Sequence, residues 1–397
     1  MINRNKEKSL NFILGIIFGV LLYFQILVQN LANLNLIGAF ENNQKYIYFV
    51  IFIISLIFNM NHLKDLIFFV PFAIFGIISY KILRDTSVIG LFLVSFSLRR
   101  IEVYNIIKIF YYVYWSYFLT MMFLLLIRVT TNLYQTTAFG EGQGWTFGFP
   151  NHNAVGRVLM IGCILNLVLK LIENKRYSRL QNSLWWIIQI IFYFMILLSA
   201  SSGAIFGMII SLFCYFFISQ FKGIKKARKV IFLGWVSVVS FIGSLIFTIL
   251  SLTERVYIAD TFWYNLNRIM TGRIALGELN YKIFGMSIMG NPAYIPSTEG
   301  VPNYSLGFTY NFIDNSYLVV MIRYGIVFLI ILLIFYLLLI RKIVKKQLIV
   351  LFIPIIALSI YGIAENMIYA YATNFVLLWL GIWLKPHITE ENKENEE

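Results

Sequence analysis

Apolar residues run along this chain in long, nearly unbroken stretches, and polar residues collect in short gaps between them and in two longer interruptions. An α-helix needs a run of about 20 mainly apolar residues to cross the hydrocarbon layer of a bilayer. About twelve candidate runs can be marked, at roughly 10–28, 46–60, 65–82, 86–98, 107–127, 153–171, 184–200, 203–221, 230–252, 316–340, 348–363 and 367–384. A backbone in lipid must satisfy its own hydrogen bonds, so such runs are expected as helices. The pattern predicts an all-α, polytopic membrane protein of about twelve transmembrane helices, with residues 1–397 forming a single transmembrane domain. The first run follows a charged start but lacks a small-residue cleavage pattern, and it is expected as an uncleaved span.

The two interruptions cover 128–152 and 254–314. The longer is not a disordered linker, because Trp263, Tyr264, Leu266, Ile269, Ile274, Leu276, Leu279 and Ile283 recur among its polar residues. A segment of that kind lies on the bilayer or folds over the spans. The spacing predicts one short amphipathic helix over Asp260–Met270 and a second over Gly272–Phe284, with Thr271 as N-cap between them. Arg273 then falls in a first helical turn, where an anion would meet both its guanidinium and free backbone N–H groups. Gly290–Pro302, rich in proline and glycine, is expected as a loop leading back to the membrane. In the shorter interruption the glycines of GEGQGWTFGFPNHNAVGR argue against a regular element, and Pro150–Asn151 mark the start of the next helix.

Composition narrows the class. Hydrophobic residues make up 60% of the chain and charged ones 13%, which excludes an ordinary soluble domain. With the amino terminus inside, 22 of the 32 basic residues fall in inner loops and the acids split evenly, so the inner face carries +13 of the net +14. The basic balance is therefore topology and no argument for nucleic acid, and both termini are expected to be cytoplasmic. Cys163 and Cys214 both lie within spans, which excludes a disulfide framework. Ser199, Gly203, Gly207 and Ser211, spaced by four, read as a small-residue helix-packing stripe.

Ionisable residues at the membrane face remain to be explained, since groups at such depth usually face a protein interior or a wet cavity. Arg128 lies just beyond the fifth run and suits a snorkelling role; Arg157 sits one or two turns into the sixth and Arg323 about two turns into the tenth. Asp314 opens the tenth run, and the nine-residue offset puts Arg323 on the opposite helix face, so the two are expected to act separately. Glu365 and Asn366 fit either a cavity lining or a turn between the last two runs.

Three short pieces together carry a resemblance: GFPNHNAVGR before the sixth run, TGR at Thr271–Arg273, and DNSYL…YG from Asp314. In this order and on one side of the membrane they are similar to the Wzy-type polysaccharide polymerases and the related O-antigen ligases. The resemblance implies a membrane glycosyltransferase of a bacterial cytoplasmic membrane that joins polyprenyl-pyrophosphate-linked oligosaccharides on the outer face, with no cofactor and no metal. It implies membrane lipids and other polysaccharide-assembly proteins as partners. Carried over by position it points to Arg157 and Arg273 as catalytic arginines; where the ligase branch usually has a histidine, this chain has Asp314. The chemistry fits these residue types, because arginine offers a fixed fork to phosphate oxygens on which charge develops. The acceptor hydroxyl must also lose a proton, for which Asp314, His152 and Glu278 are the candidates, in that order. Arg323, Arg268, Asn151, Asn315 and Tyr317 are the further substrate-binding candidates, and Trp145, Trp263, Tyr264, Tyr304 and Tyr310 suit sugar stacking or an interfacial belt. Two alternatives remain: a ligase passing glycan to another acceptor, and a polysaccharide flippase.

Overall fold

The computed structural model describes residues 4–37, 44–58, 66–136, 143–173, 178–220, 225–294, 297–303, 307–311 and 313–379. The helices are α1 (Arg4–Asn33), α2 (Gln44–Phe58), α3 (Leu66–Leu83), α4 (Ser87–Ser97), α5 (Val103–Leu126), α6 (His152–Glu173), α7 (Arg179–Leu198), α8 (Ser202–Gln220) and α9 (Lys226–Leu250). They continue as α10 (Phe262–Ile269), α11 (Arg273–Phe284), α12 (Ser316–Val319), α13 (Ile326–Lys345) and α14 (Phe352–Tyr361). Four short strands complete the list: β1 (Tyr134–Thr136), β2 (Gln143–Trp145), β3 (Ser297–Asn303) and β4 (Gly307–Asn311).

The expected all-α class holds, but the expected count of about twelve spans is not reached among the described residues. Seven helices are long and apolar enough to cross a membrane: α1, α5, α6, α7, α8, α9 and α13. Four shorter apolar helices lie within α2, α3, α4 and the α14 region. The run at 316–340 is not one helix. It is α12, then a π-helical turn at Val320–Tyr324, then a break at Gly325 before α13. The break is tolerated because segment 287–291 docks on it. Ile326 N–H donates to Ser287 O at 2.8 Å, Val327 N–H to Ile288 O at 3.1 Å, and Asn291 N–H to Arg323 O at 3.0 Å. Irregular backbone at membrane depth persists only where protein or a cavity satisfies it, as here. The approach is close enough to need glycine: a Cβ on Gly325, whose φ is +94°, would lie 2.4 Å from Ile288 O. The run at 367–384 is likewise no single span where it is described, being turns followed by a short 3-10 helix at Phe375–Trp379.

Both interruptions contain strands that glycine and proline content argued against. β1 pairs antiparallel with β2, and β3 with β4. Pro296 and Tyr304 lie outside the described residues, as does the side chain of Tyr310. The two amphipathic helices of the longer interruption form as α10 and α11. Thr261 caps α10, its hydroxyl accepting from Tyr264 N–H at 3.1 Å. Thr271 does not cap α11. That position is taken by Gly272 at φ +81°, and the side chain of Asn267 on α10 reaches over to accept from Ala275 N–H at 3.0 Å.

Helix packing gathers particular ends of the bundle together. α1 and α5 run parallel, with Gly15 and Gly19 against Ile109 and Tyr23 bonded to Thr120 at 2.7 Å. α6 and α8 also run parallel, Gly156 meeting Ser201 and Gly207 meeting Met160, while Gly203 of α8 packs on Tyr361 and Ala364 after α14. The small-residue stripe thus acts as a packing face. α6 is the central helix: 78% of its apolar window is buried, against 11–44% in the other six long helices. A charged side chain on α6 therefore faces protein rather than lipid.

Candidate functional site

Arg273 begins α11, which the positive φ of Gly272 aims toward the bundle. Its side chain is almost fully enclosed and all three sides of its fork are used. Nε faces Asp314 Oδ2 at 3.1 Å, Nη2 faces Glu365 Oε1 at 3.0 Å, and Nη1 donates to Ala364 O. The local sequence around Asp314 builds this arrangement. Asn315 caps α12, its Oδ1 accepting from Tyr317 N–H at 3.0 Å and Leu318 N–H at 3.1 Å, while its Nδ2 donates to Thr248 Oγ1 of α9 at 2.9 Å. Ser316 then fastens the segment after α14. Its N–H donates to Gly362 O at 2.8 Å, its hydroxyl donates to Glu365 O, and the same oxygen accepts from Met367 N–H at 2.7 Å. Tyr317 is fully buried and donates to Ser359 O at 2.8 Å. Three consecutive residues thus lock Asp314 and Glu365 on either side of one guanidinium.

Burial holds both carboxyls above their ordinary range, against the pull of Arg273; for Glu365 the nearby Asp314 charge adds to the rise. Two further side chains complete the neighbourhood. Arg157 on α6 acts through space on Glu365 and Asp314. His152, at the start of α6, lies within electrostatic range of Arg273 and Asp314. Its Nδ1 is 3.0 Å from Ser199 O. A carbonyl only accepts, so Nδ1 carries a proton and Nε2 is the nitrogen left for other chemistry. β2 covers this contact at van der Waals distance: a Cβ on Gly144 would lie 2.0 Å from Ser199 O.

The sequence candidates separate into this cluster and its surroundings. Arg157, Arg273, Asp314 and His152 come together. Asn315 and Tyr317 serve as the cap and anchor of α12, and Asn151 caps α6 by accepting from Ala154 N–H at 2.7 Å. Glu278 lies in a different group: Oε2 accepts from Tyr257 at 2.8 Å and Oε1 pairs with Lys282 at 2.9 Å, which also reaches Glu254 at 2.8 Å. Burial raises the Tyr257 hydroxyl, and its bonds to Glu254 and Glu278 raise the Lys282 ammonium. Arg268 is exposed on α10. Arg323 is apart from Asp314, though not through the expected helical offset, since Asp314 lies before α12 and Arg323 in the π-helical turn that follows it. It grips Asp85 Oδ2 through Nε at 3.1 Å and Nη2 at 2.8 Å, and donates through Nη1 to Tyr294 O at 2.7 Å.

Two contributions were not read from the sequence. Asp85 precedes α4 and also accepts from Ser87 and Tyr324; its signal was a lone acid between two apolar runs. The polar wall on α1, Gln25, Gln29 and Asn33, borders a cavity of about 300 Å³ beside Arg157. Its signal was spacing by four inside an apolar run, which puts these side chains on one helix face.

Among the described residues no group of three or more His, Cys, Asp or Glu side chains is placed to hold a metal ion. No family model, curated protein or solved structure matches the chain. Fold and site together define a membrane-embedded, all-α protein with a buried arginine–carboxylate cluster at one end of its helical bundle.

Proposed function

We propose that the chain is a polymerase that joins polyprenyl-pyrophosphate-linked oligosaccharide repeat units on the outer face of a bacterial cytoplasmic membrane. One observation carries the proposal: Arg273 lies between Asp314 and Glu365, with Arg157 next to them and directly bonded to neither. Glycosyl transfer from a lipid pyrophosphate needs an acid–base group and a cation at separate points, and this cluster offers both.

In the proposed reaction an acceptor sugar hydroxyl attacks the anomeric carbon of the donor. The new C–O bond forms as the anomeric bond to the pyrophosphate breaks, and the pyrophosphate leaves with the electron pair. Asp314 takes the hydroxyl proton; a carboxyl raised by burial is a better base than an ordinary one, because its basicity lies closer to neutral pH. Arg157 is the fork available to the departing phosphate. Arg273 has its donors committed to Asp314, Glu365 and Ala364, so its role here is to hold the two carboxylates in place. His152 and Glu365 both lie within electrostatic range of Asp314. The charge pattern that assigns the amino terminus to the inside also puts this end of the bundle outside, where finished repeat units are met.

The test is direct. Asp314→Asn is expected to bind lipid-linked repeat units yet form almost no polymer, since an amide cannot accept the proton. Full polymer formation by that variant would remove Asp314 as base.

A further inference from the structure

Away from the cluster, α9 and α13 pack antiparallel. Gly234 of α9 meets Val344 of α13, Phe241 meets Tyr336 with ring centroids 4.5 Å apart, and Thr248 is bonded to Asn315, which precedes both α12 and α13. The start of α9 and the end of α13 therefore share one end of the bundle, which the distribution of basic residues assigns to the cytoplasmic side. Four cations fall within 225–229 and four more within 341–346. No aspartate or glutamate occurs from 174 to 253 or from 315 to 364, so neither helix brings a counter-ion with it. Among the described residues Arg228, Arg341 and Lys345 are exposed and form no ion pair, whereas Lys108 at the start of α5 has Glu173 at 3.7 Å.

The exposed apolar residues continue from these cations. On α9, Arg228, Ile231 and Trp235 are exposed and fall about 60–120° round the helix from Gly234; on α13, Ile334, Leu337, Arg341 and Lys345 are exposed and fall about 20–100° round from Val344. The sense of rotation is the same in both, and in antiparallel helices that puts both stripes on the same side of the seam. Each stripe is apolar toward the middle of its helix and cationic at the end. We infer that the seam between α9 and α13 binds an acidic phospholipid, its phosphate held among Arg228, Arg341 and Lys345 and its acyl chains laid along the apolar stripes. Lysine and arginine at a bilayer surface attract acidic headgroups, and an exposed tryptophan at that level suits the interface. A soluble phosphate would meet the cations and leave the apolar stripes unused. A charge excess that only set the topology would draw acidic lipid diffusely, whereas the seam draws it to three named residues from two helices. The inference does not rest on the polymerase reading.

Full-length protein purified in an uncharged detergent would be titrated with phosphatidylglycerol and with phosphatidylcholine, both brominated on the acyl chains. Bromine quenches nearby tryptophans, and the part of the quenching that Trp235→Phe abolishes reports the seam. Phosphatidylglycerol is expected to bind there at least about tenfold more tightly than phosphatidylcholine, as attraction to several cations would give. Arg228→Gln and Arg341→Gln should each remove about three- to tenfold of that preference. Arg179→Gln, an exposed cation at the start of α7 on the same end, should leave the preference unchanged. Glycerol 3-phosphate, which carries the phosphate without the chains, should not displace the lipid at matching concentration. Thermal unfolding without lipid checks that each variant is folded, and if one is not, the wild-type lipid pair and the other variants still decide. Equal affinity for the two lipids, an equal loss in Arg179→Gln, a preference kept in both folded seam variants, or displacement by glycerol 3-phosphate as strong as by lipid overturns the inference.

Discussion

The two arginines that the sequence treats alike hold different positions. Arg273 is bonded on three sides, whereas Arg157 faces a cavity. Arg157→Lys is therefore expected to cut polymer formation by about 100-fold or more, the scale seen when one donor to a developing negative charge is lost, and to leave the melting temperature nearly unchanged. Arg273→Lys should lower both, because a single ammonium cannot reach two carboxylates and a carbonyl, and a broken buried pair costs about 3–5 kcal/mol. Equal stability in the two variants would contradict this division. The pH dependence has a sign that follows from burial. Asp314 works as base only when ionised and is held above its ordinary value of 3.8, so polymer formation should fall as pH drops through that raised value. Arg157 was legible because charge inside an apolar run is conspicuous, Asp314 because it opens such a run, and Arg273 through the TGR piece of the long interruption. The role of Glu365 was not, because it depends on Ser316 pulling the segment after α14 alongside Asp314.

At the scale of elements, periodicity and capping residues placed most helices, including α10, α11 and the start of α6. It failed where tertiary contact decides backbone shape. The apolar run at 316–340 carries no mark of its break beyond Gly325, since the break is held by hydrogen bonds from 287–291. The cap of α11 comes from Asn267 in a neighbouring helix and not from the adjacent threonine. The ion pair of Asp85 and Arg323 ties the start of α4 to this break, so Asp85→Ala should destabilise the protein by about 3 kcal/mol by leaving a largely buried guanidinium unpaired. Chemical unfolding monitored by tryptophan fluorescence would measure it, and an unchanged midpoint would mean that the pair contributes nothing. Gly144→Ala should displace β2 from Ser199 and loosen His152, since the added carbon has no room. The expected result is reduced polymer formation with repeat units still bound.

For the whole molecule, the contacts of Arg273 with Asp314 and Glu365 bring the long interruption against the ends of the helical bundle. Both native cysteines are buried and unpaired, so labelling at an introduced site is readable. Asn265→Cys on α10 should react with an impermeant maleimide in intact cells, and Arg228→Cys at the start of α9 only after permeabilisation. The reverse pattern would place the cluster on the cytoplasmic side and remove the outer-face reaction. The claim that matters most is chemical. Purified protein in liposomes supplied with lipid-linked repeat units should lengthen them into a ladder of longer lipid-linked glycans, and Asp314→Asn should give no ladder while still binding the units. Wild-type protein that binds the units and carries them across the liposome without lengthening them, or that passes glycan only to a different acceptor, would contradict the account.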